Sequence, residues 1–136
     1  MAKGVRWALR AAPKVKDYQQ ARALVDEKFR DMHKVHTINN ACLTVWGITI
    51  GKTDFTRVIG ETVAMGMDND CTAATAGSIV GAVIGKRGIP AKWTRGFDNT
   101  IHSYLIGRKR FSIQDVLSRF ENQARIVHAS PPARTP

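Results

Sequence analysis

Acidic side chains are scarce in this sequence. There are 11 Asp and Glu against 21 Lys and Arg, a formal net charge of +10. The opening stretch "MAKGVRWALRAAPKVK" holds no acid at all. Such an excess raises nucleic acid as a partner. The basic residues, however, gather at the start and in "GRKR" around Arg108. They do not alternate with aromatics, and no named nucleic-acid motif accompanies them, so nucleic acid is not expected as the partner.

Cysteine is almost missing too. Cys42 and Cys71 have no neighbouring cysteine, which excludes a zinc ribbon and a disulfide framework. A reducing, cytoplasmic location is expected. Long apolar runs are also lacking. The longest, from Ala73 to Ile84, is too short to span a bilayer and carries Thr and Ser. No membrane association is expected, and the N-terminus has no signal-peptide core with a cleavage site. What remains is an ordinary globular composition, 43% hydrophobic over 136 residues, enough for one modest domain with a small core.

Helical spacing dominates the chain. Residues 1–16 read as an extended basic lead-in punctuated by Pro13. From Asp17, a plausible N-cap, Tyr18, Ala21, Val25, Phe29 and Met32 recur at i, i+3 and i+4. "HTINNACLTVWGITIG" predicts a helix buried on most sides, ended by Gly51. Asp54 then caps "FTRVIGETVAM". Gly77, Gly81 and Gly85 share one face of a small-residue helix, where a neighbouring backbone can approach. Gly88 closes that helix, and Pro90 opens the next, with Trp93 and Phe97 expected in the core. Ser112 and Asp115 resemble a capping box for a last helix that buries Ile113, Val116, Phe120, Ala124 and Val127. No set of alternating strands is visible, so the class is all-α.

One stretch carries chemistry, "GMDNDCTAATAGSIVGAVIG". Asp68 and Asp70 stand just before the small-residue helix. Asp at such a place serves as a cap, bonding free N–H groups at the positive helix end. Two carboxylates in an irregular turn also suit Mg²⁺, Mn²⁺ or Ca²⁺. Spacing favours the cap and leaves the metal open. An EF-hand is excluded, since "DNDCTAATAGSI" lacks the glycine at loop position 6 and the closing Glu. No second compact acidic motif appears: Asp26, Glu27 and Asp31 read as a solvated face, and Asp54 and Glu61 stand alone. His33 and His36 are too few for zinc, and Cys71 has no visible base partner.

Taken in order, these pieces resemble the C-terminal part of the ADP-ribosylglycohydrolase family, the relatives of dinitrogenase reductase-activating glycohydrolase. "HTINNACLTVWGITIGKTDFTRVIGETVAMG" is similar to the family's helix, glycine turn and helix. "GMDNDCTAATAGSIVGAVIGKRGIPAKW" is similar to its signature, and "SYLIGRKRFSIQDVLSRF" follows. The resemblance runs from about Asp17 to about Val127. It implies a compact orthogonal helical domain over 17–128, followed by a disordered tail at 129–136.

The resemblance also implies a metal-dependent hydrolase that cleaves the glycosidic bond joining ADP-ribose to a protein side chain or a small molecule, with ADP-ribose or an ADP-ribosylated protein as partner. Asp68 and Asp70 then bind Mg²⁺ or Mn²⁺, dinuclear in the full family site. Cys71 stands where the family often has a metal-contacting Thr, and Thr72 where it has Asn. His36, Thr37, Asn39, Asn69 and Thr72 are expected at the ligand pocket. The family's Thr-Asp-Asp cluster and catalytic Glu lie upstream, so no catalytic residue is assigned here. The resemblance therefore implies that only half the site is present, in a C-terminal fragment, a truncated gene product, or a half that needs a complementary N-terminal chain. The alternative is a non-catalytic remnant or interaction module.

Overall fold

The structure, a computed structural model, describes residues 1–129. The tail expected at 129–136 lies, from residue 130 on, outside the described residues. The chain forms two compact units, which divide between Ala91 and Lys92.

The first unit begins with a correction. The residues read as an extended lead-in form helix α1 (Ala2–Ala11), followed by a 3-10 turn at Ala12–Lys14. Ala, Leu and Arg favour a helix here, and one face of it finds partners far along the chain. Trp7 meets Phe29 and Trp46 edge-on, at centroid distances of 5.5 and 5.3 Å. Ala8 is fully buried, and Pro13 marks the stop.

Helix α2 (Tyr18–Lys28) is capped by Asp17, whose carboxylate accepts from Gln20 N at 2.9 Å. It buries Ala21 and Val25. Phe29 and Met32, expected on its inward face, fall beyond its end, while Tyr18 is exposed. Phe29 leaves the helix and sets its ring against Trp7.

Helix α3 (Thr37–Gly51) is the central element and is buried on most sides, as its composition implies. Helix α4 (Phe55–Ala64) starts at the Asp54 cap, which accepts from Arg57 N at 3.0 Å. α3 and α4 touch through glycines. A Cβ on Gly47 would collide with the Thr62 side chain, and one on Gly51 would lie 2.7 Å from the Val58 Cα.

Helix α5 (Asn69–Gly88) carries the small-residue stretch. Its glycine stripe does less than expected. A Cβ on Gly77 would press on Ile59 at 2.8 Å, but Gly81 has ordinary contacts only, and Gly85 faces open space. Gly85 instead breaks the helix at φ 67°, a conformation only glycine takes without strain. One core joins α1, α2 and α3 around Trp46, Leu43 and Val25. A smaller one joins Val58, Ala76 and Val80 from α4 and α5.

The second unit departs more from the sequence reading. Pro90 leads only into short 3-10 turns at Ala91–Trp93 and Arg95–Phe97, and Trp93 and Phe97 are exposed. A hairpin of two three-residue strands follows, β1 (Thr100–His102) against β2 (Arg110–Ser112), antiparallel with Ile101 opposite Phe111. Such short strands leave no readable alternation. Helix α6 (Ile113–Ala129) starts where expected, with Asp115 N donating to Ser112 Oγ at 3.2 Å. The apolar face expected to be buried is not: Phe120 and Val127 are exposed, and no α6 residue is buried. The class remains all-α. No helix among the described residues is long and apolar enough to cross a membrane.

Candidate metal centre

The two carboxylates sit where α4 hands over to α5. The chain leaves α4 through Gly66 at φ 72° and Met67 at φ 61°, both left-handed. For Met67 that conformation stores strain of about 1–3 kcal/mol, so the surroundings must hold the turn. Three side chains do so. Arg22 of α2 donates to Met65 O at 2.9 Å, Asn69 Nδ2 donates to Val63 O at 3.2 Å, and Asp68 N donates to Asn40 Oδ1 of α3 at 3.2 Å.

Asp68 occupies the N-cap position of α5, yet its carboxylate makes no capping hydrogen bond. This removes the plainest explanation for the acid. Asp70 lies in the first turn, one residue before Cys71. One donor atom from each of Asp68, Asp70 and Cys71 lies within 4.8 Å of the other two. No other group of three such side chains comes together among the described residues. That includes His33, His36 and Asp31 on the first unit's surface.

Cys71 is exposed, and its thiol is held above the usual range, first by a hydrogen bond to the Asp68 carboxylate, then by the negative charge of Asp68 and Asp70. A thiol is a soft donor and a poor ligand for a hard cation. The two carboxylates are hard oxygen donors and fit Mg²⁺ or Mn²⁺. The donor set therefore fits such an ion through Asp68 and Asp70, with Cys71 as the poor member.

Asp68 and Cys71 of this trio border a cleft of about 260 Å³ between α3 and α5. Thr37 and Thr72 line it, as do Asp68 and Cys71. The other pocket candidates are placed elsewhere. His36 caps α3, with Nδ1 accepting from Ile38 N at 3.2 Å, and borders a different groove beside Glu27 and Asp31. Asn39 is fully buried, and its amide donates to His33 O at 3.0 Å. Asn69 closes its own turn. The residues that sequence reasoning passed over are Asn40, Thr44 and Thr75, all lining the cleft. Thr44 stands four residues after Asn40, and Thr75 four after Cys71, so helical spacing held that signal.

A family model described as ADP-ribosylglycohydrolase matches residues 1–131, and the chain belongs to that family. The match takes in α1, which the resemblance drawn from Asp17 onward left out. No curated protein and no solved structure matches the chain.

Proposed function

We propose that this member of the family binds ADP-ribose, free or carried on a protein, through Mg²⁺ or Mn²⁺ at Asp68 and Asp70. It thereby supplies one half of a site that hydrolyses the glycosidic bond to ADP-ribose. The observation that carries this reading is the convergence of two carboxylates on a pinned, strained turn, with Asp68 making no capping bond.

The cleft supports the same ligand chemistry. Among the described residues that line it are an acid and several threonines but no Lys, Arg or His. Such side chains can exchange hydrogen bonds with sugar hydroxyls. At about 260 Å³ it is smaller than the usual ~300–1,000 Å³ ligand pocket. It suits the ribose end of the ligand, leaving the diphosphate to other groups. A bound divalent ion supplies Lewis acidity toward a sugar oxygen or a water. Asp68, which lines the cleft, and Asp70 beside it hold that charge, and Thr37 and Thr72 offer hydroxyls to the sugar.

Glycoside hydrolysis asks for a further acid or base across the ligand. Among the described residues one cluster of potential metal ligands is found, and the role assigned to it is capture of the ligand. Thermal unfolding tests the reading. Mn²⁺ and ADP-ribose together raise the Tm of the wild type but not of Asp68→Asn/Asp70→Asn. At a ligand concentration a hundred times Kd the gain is about 2.7 kcal/mol. No shift with either ligand removes the binding role and leaves a non-catalytic module on the family fold.

A further inference from the structure

One buried amide joins three segments around the carboxylate turn. Asn40, in the first turn of α3, is 7% exposed. Its Oδ1 accepts from Asp68 N at 3.2 Å. Its Nδ2 donates to Lys34 O at 2.6 Å and His36 O at 3.0 Å, with Asn39 Oδ1 also 3.2 Å away. These partners fix the orientation of the amide. Turned over, it would set NH₂ against the Asp68 N–H and its oxygen against two carbonyls.

We infer that Asn40 is a positioning residue for the cation site, an inference that rests on Asp68 and Asp70 holding a metal. The backbone amide of Asp68 is where α5 begins. Its bond to α3 sets the height and rotation at which the Asp68 and Asp70 carboxylates leave the helix mouth. The two left-handed residues just before it supply no such restraint: Gly66 takes that conformation freely, and Met67 is itself strained. The Nδ2 bonds tie the same amide to the loop at Lys34 and His36, so α3, that loop and the carboxylate turn move as one body. An apolar residue at 40 would leave the Asp68 N–H and two carbonyls without their partner. Outer groups of this kind commonly change metal affinity about 10- to 100-fold.

Asn39 provides the control. It is fully buried and hydrogen-bonded, to His33 O, Asn40 N and Asn40 Nδ2, but it does not itself reach the turn. Mn²⁺ titration and amide hydrogen exchange are measured on the wild type, Asn40→Ala and Asn39→Ala. Asn40→Ala is expected to weaken Mn²⁺ binding about tenfold or more and to speed exchange at the Asp68 amide. Asn39→Ala lowers the Tm and, because it removes one partner of the Asn40 amide, shifts both readings less than Asn40→Ala does. Asn40→Ser, which keeps a polar group in the first turn but is too short to reach the Asp68 N–H, is expected to behave as Asn40→Ala does and covers the case in which that variant does not fold. Wild-type Mn²⁺ affinity in Asn40→Ala or Asn40→Ser, weakening in Asn39→Ala equal to theirs, or slow Asp68 exchange in both Asn40 variants overturns the inference. Should the wild type bind no Mn²⁺, the metal reading falls, while the Asp68 exchange rates still decide whether Asn40 holds the turn.

Discussion

Trp46 Nε1 donates to Ala8 O at 2.9 Å, joining the centre of α3 to a helix that the sequence presents as a basic, unstructured start. Trp46 is fully buried, and Trp7 stacks edge-on against it. The first helix is thus part of the floor under α3, the helix that also carries Asn40 and Thr44.

Trp7→Ala should therefore destabilise the protein. Trp7 is only partly buried, so the cost belongs at or just below the low end of the range for a buried Trp→Ala, about 2–3 kcal/mol. Urea unfolding followed by circular dichroism measures it. A change below about 0.5 kcal/mol, usual for surface positions, would mean that α1 contributes no packing.

The α3–α4 contact has a specific weak point. Gly47→Ala forces a methyl group into the Thr62 side chain and should cost about 1–3 kcal/mol, as overpacking does. In a Thr62→Ala background the same change should cost less, because the colliding hydroxyl is gone. A double-mutant cycle in urea reads the coupling. Strict additivity would place the two residues out of contact.

Cys42 gives a pH dependence with a defined sign. Burial pushes its thiol from 9.0 up to about 11. The folded state favours the neutral thiol, so this contribution is complete below pH 9 and is lost as pH rises toward about 11. The loss amounts to up to about 3 kcal/mol. Comparing the pH slopes of wild type and Cys42→Ala over that window isolates it. Equal slopes would show that the thiol titrates alike in both states.

Cys71 reports on its acidic neighbours. With Cys42 buried, native alkylation reads Cys71 alone. In metal-free protein at pH 7.5, Asp68→Asn should speed alkylation several-fold, since Asp68 supplies the largest part of the upward push. Asp70→Asn should have the smaller effect.

Much of this fold is legible where the cause is local. Asp17, Asp54 and Ser112 act on amides three residues ahead, and each was readable as a cap from sequence. Asp68, Asp70 and Cys71 converge because they share one turn. What escaped depends on distant partners. α1 needs Trp46 and Phe29, and the close α3–α4 approach rests on Gly47 meeting Thr62 rather than on the conspicuous Gly77, Gly81 and Gly85 series. Asn39 and Asn40 are adjacent in sequence but about 100° apart on the helix. Only the packing of α5 against α3 decides that Asn40, not Asn39, reaches the carboxylate turn.

The most direct test of the central claim is Mn²⁺ binding followed by the electron paramagnetic resonance signal of the free ion. The wild type should bind Mn²⁺ saturably, and Mg²⁺ should compete. Asp68→Asn and Asp70→Asn should each weaken binding at least about tenfold, with an unchanged circular dichroism spectrum. Wild-type binding in both variants, or no saturable binding in the wild type, would contradict a cation site on these two carboxylates.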